Sequence, residues 1–257
     1  MNRLIVQIYE IQDPVEAALM VEAGVDHIGS VILSEDEIIN DSLSAAVKVI
    51  EKSDSLSSII PLFSNPESIY RVIDFYKPDI IHFCEALSDN NGILPVCHEL
   101  VNNQVALKKR YPDVKIMRSV PIATSEMVSR VPTLEIAKLF EGSSDFFLTD
   151  TLLFDETGSD EDQPVNGFVG ITGITCDWQM ANQLVEQSKI PVIFAGGLSP
   201  ENVYDGALAI TPAGVDSCTQ TNFFDENGKS VRFKKDINKV KRFVSETRRA
   251  EKELNKI

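Results

Sequence analysis

The chain has 257 residues, 43% hydrophobic and 25% charged, an ordinary globular composition that can bury one large α/β core or two small ones. Its 24 basic and 39 acidic residues leave a net charge of −15, which argues against nucleic acid or an anionic membrane as the main partner. No apolar run approaches the roughly 20 residues of a membrane span, and the opening run Met1 to Ile8 reads as a strand, not as a signal peptide.

Short apolar runs alternate with amphipathic stretches from end to end. Strands are predicted over 4–8, 27–33, 59–63, 79–83, 115–120, 146–150, 192–195 and 214–217, mostly free of charge as strands buried on both faces should be. Helices are predicted between them and after the last, over 14–24, 42–52, 66–76, 98–110, 133–141, 178–188, 200–209 and 236–251. Pro14, Pro66 and Pro200 stand near helix starts, and Asn65 and Ser199 are candidate N-caps. Gly24 and Gly142 are placed to close the first and fifth helices. Eight βα units without a linker or composition break predict a single (β/α)8 TIM barrel over 1–257. A doubly wound sheet would show an early glycine fingerprint, which is absent.

Two connections are long, 84–97 and 151–173, and the second carries the acidic run 155–162, read as a solvated insertion. The locally basic end, 233–257, has Ile237, Val240 and Val244 at helical spacing and is expected to be the eighth helix plus a frayed tail. Cys84, Cys97, Cys176 and Cys218 show neither CxxC nor metal spacing, which points to reduced thiols in the cytoplasm. His27, His82 and His98 are scattered, so neither a metal site nor a cofactor is expected.

The chemistry-bearing signal lies at 191–203, where an apolar strand runs into Gly196-Gly197 and Ser199-Pro200 then starts a helix. Glycines at such a junction let backbone N–H groups approach a ligand, and a helix N-terminus favours an anion, most often a phosphate. The expected partner is therefore a phosphorylated small molecule, bound by a monomer or homodimer.

The first unit reads Val6-Gln7-Ile8-Tyr9-Glu10-Ile11-Gln12, followed by Glu22-Ala23-Gly24-Val25-Asp26-His27-Ile28-Gly29. With 170–178, 195–203 and Gly214-Val215-Asp216, it resembles the phosphoribosylanthranilate isomerase family, a ribulose-phosphate-binding (β/α)8 barrel of tryptophan biosynthesis. The resemblance implies that Gly170, Thr172, Gly173, Gly196 and Gly197 grip a sugar phosphate, with Asp216 and Thr219 beside them. It also implies that Asp150, at the end of the sixth strand, is the general acid that protonates the ribose ring oxygen. Such an acid needs apolar surroundings to hold its proton near neutrality, and Phe146, Phe147 and Leu148 precede it.

The reacting end departs from the family pattern. Where the family reads Lys-Ile-Cys-Gly-Ile-Thr, with the cysteine as general base, this chain has Tyr9 at the cysteine and Glu10 at the glycine. Glu10 is either a replacement base or a filler, while Tyr9, with a reference pKa of about 10, is a poor one. The arginine expected after the second strand to pair the anthranilate carboxylate is missing from the acidic loop 34–41. Arg118, at the end of the fifth strand, is the candidate to replace it. His82-Phe83-Cys84-Glu85, Ser217-Cys218-Thr219-Gln220 and Ile174 also differ from the family's residues.

These features lead first to a divergent isomerase acting on another phosphorylated small molecule, with Asp150, Glu10 and Tyr9 as catalytic candidates and His82 and Arg118 as substrate contacts. The alternatives are the ordinary tryptophan-pathway isomerase with a displaced base, a catalytically inactive binder, and a thiamine-phosphate-synthase-like barrel.

Overall fold

In the computed structural model, residues 3–89, 91–153 and 167–256 are described, so the acidic run 155–162 lies outside them. Eight parallel strands close the barrel: β1 (Ile5–Ile8), β2 (His27–Ile32), β3 (Leu56–Pro61), β4 (Ile80–Phe83), β5 (Lys115–Ile122), β6 (Phe146–Thr151), β7 (Val192–Phe194) and β8 (Gly214–Ser217). β1 seals the barrel against β8 with Gln7 beside Asp216 and Ile8 beside Ser217. Helices alternate with the strands: α1 (Pro14–Ala23), α2 (Asp41–Ile50), α3 (Pro66–Tyr76), α4 (Cys97–Arg110), α5 (Thr133–Phe140), α6 (Trp178–Gln187), α7 (Val203–Ile210) and α8 (Ile237–Leu254). The (β/α)8 expectation holds.

Strand alternation divides the core in two. Outward side chains such as Val6, Ile8, Ile28, Phe147, Phe194 and Val215 pack with helix residues in one large apolar cluster. Trp178 belongs to this layer, edge-on to Phe194 at 5.8 Å between centroids. Inside the barrel, Ile80, Met117, Leu148, Ile193 and Ala195 form a smaller cluster. Above that apolar floor the interior turns polar, and the buried Gln7, Ser58, His82, Ser119 and Asp216 mark where function begins.

Helix ends follow local chemistry. Asn65 accepts from the Ser68 N–H at 3.1 Å, Pro66 occupies the first turn of α3, and Gly24 closes α1 in the left-handed region at φ 84°. α7 begins at Val203 and not at Pro200: Ser199 instead caps a turn, accepting from the Glu201 N–H at 3.1 Å. Gly142 is not a left-handed cap, because α5 runs on into a 3-10 turn over Glu141–Ser143.

β3 starts three residues earlier than its apolar run, since Ser57 is held by the Asp79 carboxylate and Ser58 by the Tyr9 hydroxyl. Two short hairpins, Ser88–Asp89 with Gly92–Ile93 and Asn222–Phe224 with Ser230–Lys235, lie where only a loop and a helix start were expected. No described helix is long and apolar enough to cross a membrane. Among the described residues no group of three or more His, Cys, Asp or Glu is placed to hold a metal.

Candidate active site

The strand C-termini surround a cleft that is open to solvent and lined by residues from all around the barrel mouth. One side is built by three loops. Residues 170–173 follow β6, Ala195–Leu198 follow β7, and Ser217–Gln220 follow β8. Their mutual hydrogen bonds hold them as one body: Gln220 Nε2 donates to the Gly173 carbonyl at 2.9 Å and Thr219 Oγ1 to Ile171 O at 3.3 Å. Thr172 Oγ1 accepts from the Ile174 N–H at 3.2 Å.

Gly197, at φ 63°, packs so closely on the neighbouring loop that a Cβ would sit 2.6 Å from backbone atoms of Ile174 and Thr175. Among the described residues, the N–H groups of Gly173, Gly196 and Gly197 take no part in backbone hydrogen bonding. Glycine-lined amides left free in this way form an anion-binding concavity without any lysine. Thr172, Gly173, Gly196, Gly197, Asp216 and Thr219 therefore all line the cleft, whereas Gly170 is not among its lining residues and packs against Asp150 instead.

Asp150 lines the same cleft beneath the loop that follows β6. Burial pushes its carboxyl up to about 7, against hydrogen bonds from the Thr151 N–H and from Ser119 that favour the charged form. The loop after β6 crosses directly over it, and only a glycine fits there: a Cβ on Gly170 would fall 2.2 Å from Asp150 Oδ2. Asp216 is likewise pushed up to about 7 by burial, with its Oδ1 accepting from Gln7 Nε2 at 3.0 Å. Gln7 is in turn oriented by His27 Nδ1, 3.0 Å from its carbonyl oxygen.

Tyr9, a catalytic candidate from the sequence, is a fixed wall. Its ring lies against Gly29, where any side chain would overlap it, and its hydroxyl bridges Ser58 Oγ at 2.6 Å and His82 Nδ1 at 2.7 Å. Burial raises its pKa well above the ordinary value. The other His82 nitrogen meets Ser119 Oγ at 2.9 Å, and burial lowers this imidazole to about 3, so it stays neutral. A buried hydrogen-bonded line thus runs from Ser58 through Tyr9 and His82 to Ser119, beside Asp150.

Glu10 has a different part. It sits at φ 68°, in the left-handed region that favours glycine, with its carboxylate on Arg232 Nε at 2.6 Å and Asn222 Nδ2 at 3.2 Å. Burial would raise its pKa, but Lys235 and Arg232 outweigh that and lower it. It straps the 222–235 hairpin over the barrel mouth. This hairpin was missed by the sequence reading, although Asn227-Gly228 between two apolar-rich runs is a turn signal.

Arg118 does not line the cleft. Successive β5 side chains alternate, so Ser119 points to His82 while Arg118 turns outward between α3 and α4. There it is 1% exposed, pairs with Glu85 at 2.5 Å and donates to Gln104 at 2.8 Å. It is a structural ion pair, and among the described residues no lysine or arginine lines the cleft. The four cysteines are free thiols, with Cys84 and Cys218 on the cleft wall and both raised by burial.

Comparison with known proteins identifies the barrel. The family described as N-(5'phosphoribosyl)anthranilate (PRA) isomerase matches residues 125–246. N-(5'-phosphoribosyl)anthranilate isomerase 2 of Methanosarcina mazei is 30% identical over 136 residues, 52% of this chain and about half, 53%, of that protein. The isomerase of Methanosarcina acetivorans is 24% identical over 254 residues, 95% of this chain and 92% of its own. The crystal structure of phosphoribosyl anthranilate isomerase from Thermotoga maritima shares the fold, with a TM-score of 0.61 at 18% identity over 95% of this chain and 98% of that one. Over residues 125–246 the chain matches this family's model, over nearly its whole length it is similar in sequence to the Methanosarcina acetivorans isomerase, and it shares the barrel fold of the Thermotoga maritima structure.

Proposed function

We propose that the protein isomerises an N-(5′-phosphoribosyl) aromatic amine to the corresponding 1-amino-1-deoxyribulose 5-phosphate, with phosphoribosylanthranilate of tryptophan biosynthesis as substrate. The observation that carries this reading is Asp150, a carboxyl raised to about 7 and facing the cleft that the free loop amides also line. A carboxylic acid still protonated near neutrality can deliver its proton to the ribose ring oxygen as the ring opens. The phosphate sits against Gly173, Gly196 and Gly197, and the aromatic ring lies on Val31, Ile60, Leu62 and Val169.

The sequence departures at Tyr9, Glu10 and the acidic 34–41 loop led to a different reaction or an inactive binder, and the relatives support neither. Tyr9 and Glu10 are a wall and a strap in this reading, so the ordinary reaction does not depend on them as bases.

The test is conversion of phosphoribosylanthranilate by the purified protein, followed by loss of substrate fluorescence, beside complementation of a strain lacking this step. Turnover that falls about 10³-fold in Asp150→Asn, with binding of inorganic phosphate kept, supports the reading. No conversion by folded, phosphate-binding protein, together with no growth, overturns it.

A further inference from the structure

Ring opening needs an acid, and the following step needs a base for the C2′ proton; the cleft offers few groups for the second role. The Tyr9 hydroxyl is held between Ser58 and His82, and both His82 nitrogens are engaged by Tyr9 and Ser119. The Glu10 carboxylate is spent on Arg232 and Asn222. Asp216 is different. Gln7 occupies one of its oxygens at 3.0 Å, and among the described residues the other has no side-chain or backbone partner, on a residue that lines the cleft.

From this geometry we infer that Asp216, at the end of β8, is the base that removes the C2′ proton; the inference rests on the isomerase reading. Asp150 ends β6 and Asp216 lies in β8, with only β7 between them. Strand spacing of about 4.8 Å puts their backbones roughly 10 Å apart, which leaves room for one furanose ring between two inward carboxyl groups. Two carboxyls facing one cavity disfavour a second negative charge, and Asp150 is among the groups that raise Asp216, so one can serve as the acid while the other is the base.

The surroundings assign the roles. Facing Asp216 are Gln7 from β1, Asp150 from β6, Tyr9 and Cys218 at the strand ends, and Lys235 from the hairpin. Burial raises both carboxyls to about 7; Lys235 favours the carboxylate of Asp216, a cleft-lining residue with one oxygen unpartnered among the described residues, and the charge is therefore assigned to Asp216 and the proton to Asp150.

The steps balance without any co-reactant. Asp150 gives its proton to O4′, the C1′–O4′ bond breaks, and the nitrogen lone pair forms the C1′=N iminium. Asp216 takes the C2′ proton, the C–H electron pair becomes the C1′=C2′ bond, and the iminium electrons return to nitrogen. The enol then passes its hydroxyl proton to C1′ through solvent, giving the ketose, and the Asp216 proton returns to Asp150.

The experiment compares wild type, Asp216→Asn and Asp150→Asn in kcat, KM, the pH profile of kcat/KM, and binding of inorganic phosphate. Wild type is expected to give a two-limbed profile. Asp216→Asn should lose the acidic limb and about 10²–10⁴-fold in kcat, with phosphate affinity kept. Asp150→Asn should lose the alkaline limb instead. Asp216→Asn with more than a tenth of wild-type kcat, or loss of the acidic limb in Asp150→Asn, overturns the assignment. If Asp216→Asn fails to fold, the wild type still decides: a profile without an acidic limb overturns it. A wild type that converts no substrate defeats the isomerase reading itself, whereas an active wild type beside an active Asp216→Asn defeats only the base.

Discussion

Replacing Glu10 by Gln tests the strap directly. The Glu10 side chain is 1% exposed and its carboxylate serves Arg232 Nε at 2.6 Å, Asn222 Nδ2 at 3.2 Å and the Phe233 N–H at 3.4 Å. Glutamine keeps an acceptor for Asn222 but removes the charge that Arg232 and Lys235 face. Breaking a buried ion pair from one side costs about 3–5 kcal/mol, and the low end applies here because Arg232 is 32% exposed. With an unfolding entropy of about 2.1 cal/mol/K per residue over 257 residues, a loss of about 3 kcal/mol lowers Tm by about 5 °C. Calorimetry reads the shift, and Arg232→Met in the Glu10→Gln background should recover part of it, because the stranded cation is then gone. At 25 °C, far below the transition, kcat should fall much less than the thousandfold expected for Asp150→Asn. A Tm change under about 1 °C would refute the strap, and a catalytic collapse at unchanged Tm would return Glu10 to the list of bases.

Gly197→Ala should raise the dissociation constant for inorganic phosphate at least about tenfold and lower Tm by a few degrees, read by titration and thermal shift. A left-handed backbone costs an alanine about 1 kcal/mol, and the new methyl would strike backbone that cannot swing away. Because no lysine or arginine lines the cleft among the described residues and Arg118 faces outward, the aniline analogue lacking the carboxylate should be turned over within about tenfold of the anthranilate substrate; a 10³-fold preference for the carboxylate would contradict the site. For stability against pH, burial lowers His82 to about 3 and His27 to about 4, and raises Asp150 and Asp216 to about 7. The histidines bind fewer protons folded than unfolded, so their contribution is lost as pH falls below about 6.5. The aspartic acids bind more when folded, so theirs is full below about pH 4 and is lost as pH rises through about 7. The two pairs offset each other between about pH 4.5 and 6.5, and His82→Asn removes that balance. The stability difference between wild type and variant should grow by about 1.4 kcal/mol per pH unit over that window and level off above it. A difference independent of pH would show that His82 is not held neutral.

The barrel was legible in the sequence because each of its parts is a local signal. Eight charge-poor β-rich runs, the caps at Asn65 and Gly24, and the Gly196-Gly197 junction need only neighbouring residues to state what they are. Asp150 was singled out through the family resemblance and not from local sequence, and its position on the cleft with a carboxyl raised by burial is what the structure adds. What the linear order could not show was which groups a side chain meets. Glu10 becomes a strap because Arg232, 222 residues later, folds back onto it. Arg118 leaves the site because strand alternation and the depth of α3 and α4 give it Glu85 and Gln104. Asp216 gains its Gln7 contact only because β1 closes the barrel against β8. Periodicity and local hydrogen bonding are written in short stretches of chain. Charge pairing and burial depend on residues far apart in sequence, and only closure of the barrel decides them.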